Sequence, residues 1–173
     1  MMYKTHIAFA ILPVVIIESI IDKMSIPFEL LVYCAIAVGA LLPDLDEENS
    51  YIGKKLPIFP MIYQMLGVTH RGITHQFIFV VGLLILLQFL FANFNTSITE
   101  KVIAYSFVYG YLMHLVGDML TKGGIDSFFY PLSNKKGVLL PRYFRFYTGS
   151  IVEYILFYLL SFLILVFFIS SII

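Results

Sequence analysis

The chain carries four histidines, His6, His70, His75 and His114, and its acidic residues include Asp44, Asp46, Asp118 and Glu153. Imidazole and carboxylate together make the donor set of zinc, manganese or non-haem iron, whereas a softer site would need thiolates. His114 and Asp118 stand four residues apart, a spacing that puts both on one face of a helix. His70 and His75 bracket Arg71, and Asp44 and Asp46 close the run Leu42-Pro43-Asp44-Leu45-Asp46. A catalytic zinc takes three protein ligands and keeps one position open. Eight candidate donors exceed that number, so either two metals share them or some donors orient the others or take protons. Each residue also has an ordinary reading. His6 suits a headgroup zone, His114 an interhelical hydrogen bond, Asp44 and Asp46 a solvated acidic turn, Glu153 a helix-dipole partner, and Arg71 a membrane anchor. What decides against those readings is coincidence in one place, and that depends on the elements carrying the residues.

Those elements are membrane helices. Hydrophobic residues make up 60% of the 173, charged residues only 13%, and mean hydropathy is +0.92. A soluble domain is nearer a quarter charged. The composition therefore predicts an all-α integral membrane helical bundle, a single domain over residues 1–173. Apolar runs at residues 7–21, 27–42, 75–94, 101–120 and 151–173 meet or approach the roughly 20 residues that cross a hydrocarbon core. The first run is followed by Glu18-Ser19-Ile20-Ile21-Asp22-Lys23 rather than a small-x-small cleavage pattern, so it reads as a retained span. Residues 51–69 are broken by Pro57 and Pro60 and read as an interfacial amphipathic helix. Residues 121–149, with Gly123-Gly124 and basic residues alternating with aromatics, read as an irregular loop at headgroup level. Eleven basic residues against eleven acidic ones argue against a nucleic-acid partner. Cys34, the one cysteine, cannot build a disulfide framework and reads as a buried small hydrophobe.

With five spans, nine of the eleven basic residues fall on the side of the N-terminus, leaving Lys23 and Lys101 on the other. The positive-inside rule then makes this a multi-pass protein of the inner (cytoplasmic) membrane with its N-terminus in the cytoplasm. All four histidines, with Asp44, Asp46, Asp118 and Glu153, fall on that same side. Glu18, Glu29 and Glu100, near the opposite face, have no histidine beside them. Ionisable groups gathered within a membrane domain are a functional-site hypothesis by default.

Thr5-His6, Leu42-Pro43-Asp44-Leu45-Asp46, His70-Arg71-Gly72-Ile73-Thr74-His75, His114-Leu115-Val116-Gly117-Asp118, Thr121-Lys122-Gly123-Gly124 and Thr148-Gly149-Ser150-Ile151-Val152-Glu153 occur in that order. In this the chain resembles the YdjM family, inner-membrane proteins regarded as metal-dependent hydrolases, over nearly its whole length. The His-Arg-Gly-x-Thr-His block is the specific part. One departure is Gln76, where the family often has serine. A fainter resemblance is to zinc-dependent phospholipase C, which implies His6, Asp44, His70 or His75, His114 and Asp118 as ligands and phosphoesters as substrates.

The expectation is a membrane-bound metal-dependent hydrolase acting on a phosphoester of a phospholipid, lipid phosphate or similar lipid at the cytoplasmic face. It would hold one to three divalent ions, zinc first, with manganese or iron as alternatives. His6, Asp44, His70, His75, His114 and Asp118 lead the ligand set, followed by Asp46 and Glu153 as ligands or general base. Arg71 is the first choice to hold a substrate phosphate, because its planar fork matches phosphate geometry. Arg142, Arg145 and Lys122 come second, and read first as lipid-surface anchors. Two rivals remain: a divalent-metal or proton transporter, whose sites tend to sit near the midplane, and a non-catalytic membrane protein with a structural metal.

Overall fold

The computed structural model describes residues 1–21, 25–67 and 72–172. Seven α-helices form among them, with no strand. Five are long: α1 (Tyr3–Glu18), α2 (Ile26–Leu41), α5 (Phe77–Asn93), α6 (Ile98–Met119) and α7 (Ile151–Ile172). They fall where the five apolar runs predict helices. Two stretches, Ile26–Asp46 and Ile151–Ser170, are long and apolar enough to cross a bilayer, and α5 is a shorter apolar helix. Residues 51–65 form α3 (Tyr51–Lys55) and α4 (Ile58–Met65), separated at Leu56 and Pro57. Residues 121–149 are irregular apart from one 3-10 turn, Arg142–Phe144.

α2 and α6 make the most extensive helix pair. A Cβ at Gly39 would lie 2.0 Å from the Phe107 carbonyl oxygen, and one at Gly110 would lie 2.1 Å from that of Ile36. Only hydrogen fits at either point, and the reciprocal glycines let the two backbones touch, as small residues do between membrane helices. That approach sets the C-terminal end of α2, and the Leu42–Asp46 turn after it, against the last turns of α6. α1 packs on α2, α6 and α7. Ala10 joins Val32, Ile36 and Ala40 in one buried cluster, and Val80, Val108, Tyr111, Leu115 and Phe128 lie in another. Capping fixes the start of α6, where Ser97 and Glu100 exchange hydrogen bonds as a capping box. α5 and α7 leave Ile85, Phe89, Ile155 and Phe162 exposed.

Cys34 corrects an expectation: it is exposed, not buried. Val32 and Ile36 are four residues apart and share the buried face of α2, so the position midway between them points away from it.

Candidate metal centre

His6 lies in the first turn and a half of α1, which begins four residues earlier than its apolar run suggests. Residue 117 of α6 is glycine, and a Cβ there would come within 3.1 Å of His6 Nδ1. The absent side chain leaves room for the imidazole. His6 stacks on His114, ring centroids 3.7 Å apart and planes within 10°. His75, closing a 3-10 turn (Ile73–His75), meets His114 edge-on at 5.4 Å. Three imidazoles from three separate elements thus pack together, each almost wholly shielded from solvent.

Carboxylates close the group from two directions. His6 Nε2 lies 3.3 Å from Asp118 Oδ1, and His114 Nε2 lies 4.0 Å from Asp118 Oδ2. The Met1 amino group also meets Asp118. On the other side, Asp44 Oδ1 is 3.6 Å from His114 Nε2 and 3.8 Å from His75 Nε2. The ligand atoms of His6, His114 and Asp118 all lie within 4.8 Å of one another, and so do those of Asp44, His75 and His114. Neither ring nitrogen of His6, nor Nε2 of His114, meets a partner in hydrogen-bonding geometry among the described residues. A buried polar atom left without a partner costs about 1–3 kcal/mol. Convergent lone pairs of imidazole and carboxylate are what a divalent cation would satisfy, so the residues fit a metal.

The surrounding contacts fix which nitrogens can serve. His114 Nδ1 lies 2.7 Å from the Ala40 carbonyl oxygen, which can only accept, so Nδ1 carries the proton and Nε2 the lone pair. Both donor groups share His114, and with Nδ1 engaged it can bind one ion only. An ion there would draw on both groups. His75 is held by a pair: Thr74 Oγ1 lies 3.1 Å from its Nδ1 and donates to Asp46 Oδ2 at 2.5 Å, and that carboxylate oxygen lies 3.5 Å from the same Nδ1. The Thr74 carbonyl in turn accepts from the Tyr111 hydroxyl, tying the turn to α6.

Of the residues expected from sequence, His6, Asp44, His75, His114 and Asp118 come together. Asp46 is one contact removed, on the far nitrogen of His75. Glu153 is fully buried, with Oε1 accepting from Met2 N–H at 2.5 Å and Oε2 from Gly149 N–H at 2.7 Å. It ties the start of α7 to the start of α1 and belongs to neither donor group. His70 and Arg71 lie outside the described residues. Thr74, Tyr111 and the Ala40 carbonyl carry supporting roles that sequence reasoning did not assign. Thr74 sits inside the His-Arg-Gly-x-Thr-His block, the one signal that pointed to it.

Beside the donors lies a cavity of about 400 Å³, lined by Lys4, Asp44, Tyr51, Tyr154, Phe157 and Tyr158 among others. Tyr51 stacks on Tyr3 at 4.1 Å to form part of its wall. Of the five candidate donors, only Asp44 lines it, and its side chain is 19% exposed where the three imidazoles are closed off.

Comparison with known proteins places the chain. A family model described as YdjM inner membrane protein matches residues 1–172. The uncharacterized protein YvsG of Bacillus subtilis (strain 168) is 34% identical over 117 residues, covering 68% of this chain and 65% of YvsG. The inner membrane protein YdjM of Escherichia coli (strain K12) is 35% identical over 91 residues, covering 49% of this chain and 42% of that protein. The chain thus spans less than two thirds of the length of either relative. No solved structure matches it. On these matches, the chain belongs to the YdjM family of inner membrane proteins.

Proposed function

We propose that the chain is a membrane-bound metal-dependent hydrolase acting on a phosphoester of a lipid or lipid-like substrate at the cytoplasmic face. In this reading α1, α2, α5, α6 and α7 all cross the bilayer, with the N-terminus inside. α1, at 16 residues, spans roughly 24 Å and requires local thinning. The observation that carries the reading is the position of Asp44. It belongs to a buried donor group and also lines a cavity large enough for a substrate headgroup. A closed structural metal would need no such opening.

A divalent ion held by His6, Asp44, His75, His114 and Asp118 would supply Lewis acidity toward water and a phosphoryl oxygen. The protein's own contributions are positional. Ala40 and Asp46 hold His114 and His75 with Nε2 presented to the centre. Asp44 is placed to accept the proton of an attacking water, since it alone reaches the cavity from among the donors. The aromatic wall from α1, α3 and α7 suits an acyl or glycerol portion.

The test is a direct assay. Protein loaded with zinc, manganese or iron and reconstituted in liposomes is offered phospholipids, lipid phosphates and an aryl phosphodiester. Turnover should disappear with chelator, return with metal, and be lost in Asp44→Asn. Absence of turnover on every ester, together with ion flux that depends on His75 and His114, would replace this reading with transport.

A further inference from the structure

The loop between α6 and α7 holds a second constellation that the donor cluster does not use. Lys122, Arg142, Arg145 and Tyr147 line a cavity of about 350 Å³. No carboxylate lines it, and the one acidic residue among residues 119–149, Asp126, is held by Lys136 at 3.0 Å. Among the described residues none of the three lining cations has an ion pair. Arg145 Nε is buried and meets no hydrogen-bond partner there.

The arrangement is built by the backbone rather than by chance approach of long side chains. Lys122 N–H donates to the Phe146 carbonyl at 2.8 Å, and Thr121 pairs with Phe146 in a parallel bridge. This fastens the end of α6 alongside the 145–147 segment. Lys122 Nζ then rests 4.3 Å over the Tyr147 ring, a cation–π contact that limits its motion. Three positive charges held around one cavity repel each other until an anion enters, and two guanidinium forks with an ammonium match the oxygens of a phosphate.

We propose that this cavity binds the phosphate of an anionic membrane lipid. The choice of a lipid over free phosphate comes from the rim. Tyr143 and Phe144, set between the two arginines, are 96% and 75% exposed. Exposed aromatics flanking basic residues fit the headgroup layer of a bilayer, where the rings enter the interface and the charges meet phosphate. A free phosphate ion would gain nothing from those rings. The proposal stands independently of hydrolysis, because none of its residues belongs to the donor groups.

Detergent-purified protein is examined by native mass spectrometry with phosphatidylglycerol, with phosphatidylcholine, and with inorganic phosphate. Phosphatidylglycerol should be retained over phosphatidylcholine. Its affinity should fall about tenfold or more in the double variant Arg142→Gln, Arg145→Gln, since each basic contact near a surface contributes about 1 kcal/mol. Lys136→Gln, which removes a charge already paired with Asp126, should leave binding unchanged. His114→Ala should also bind lipid normally, which separates this proposal from the hydrolase reading. Unchanged metal content in the double variant shows that it remains folded. Equal retention by the double variant and the parent would overturn the proposal. So would displacement of the lipid by inorganic phosphate at equal concentration, which would assign the cavity to a soluble anion.

Discussion

Both ends of the α1–α2 pair bury acidic side chains, yet they differ in kind. At one end the Tyr33 hydroxyl meets Glu18 and lies 3.0 Å from Glu29 Oε1, so a single phenol serves two carboxylates. At the other end two carboxylates face three imidazoles, and His6 and His114 present nitrogens with no hydrogen bond among the described residues. The far end offers oxygen alone, and there too an acceptor, Glu18 Oε1, is buried with no hydrogen-bond partner among the described residues. The near end sets imidazole nitrogens beside carboxylates from separate elements. A buried acceptor alone therefore does not point to a metal; convergence of imidazole with carboxylate does.

Five substitutions would break or sharpen that contrast. The largest effect is expected from His114→Ala, because both donor groups depend on its one available nitrogen. Elemental analysis should find almost all bound metal gone, while Glu18→Gln at the far end should keep full occupancy. Next comes Asp46→Asn, which weakens the hold on His75 Nδ1 while leaving the donor groups in place. Loss of such an orienting partner lowers metal affinity about 10–100-fold, measurable by competition with a chromophoric chelator. Gly110→Ala drives a methyl into the Ile36 carbonyl and should lower stability by about 1–3 kcal/mol, read as a fall in Tm in detergent. The smallest change is Tyr33→Phe. It should reduce Tm by an amount equivalent to about 1 kcal/mol and leave metal content untouched. If Tyr33→Phe released metal as His114→Ala does, the two ends would be coupled and the contrast would fail.

Much of the near end was legible because its information is local. The five apolar runs pointed to the long helices, and Pro57 marked the break in the 51–65 stretch, while Pro60 sits inside α4. The four-residue step from His114 to Asp118 placed both on one face of α6. Less legible was anything that depends on one element meeting another. Asp44 and Asp46 look equivalent in Leu42-Pro43-Asp44-Leu45-Asp46, yet the turn sends the first to the Nε2 side of His75 and the second to Nδ1. Glu153 reads as a spare donor until the start of α1 is laid beside α7 and two backbone N–H groups occupy its oxygens. His6 was expected at the start of its span; α1 begins at Tyr3, so the imidazole is held on a helical turn.

The Ala40 carbonyl links helix termination to proton placement. It lies in the last turn of α2, where carbonyls run out of intrahelical donors. Pro43, three residues on and second in the Leu42–Asp46 3-10 turn, has no N–H, so that turn cannot claim the oxygen through it. The acceptor is left for His114. A proline placed to end one helix thereby selects the tautomer of a histidine on another, and the way the chain leaves α2 determines which imidazole nitrogen is basic.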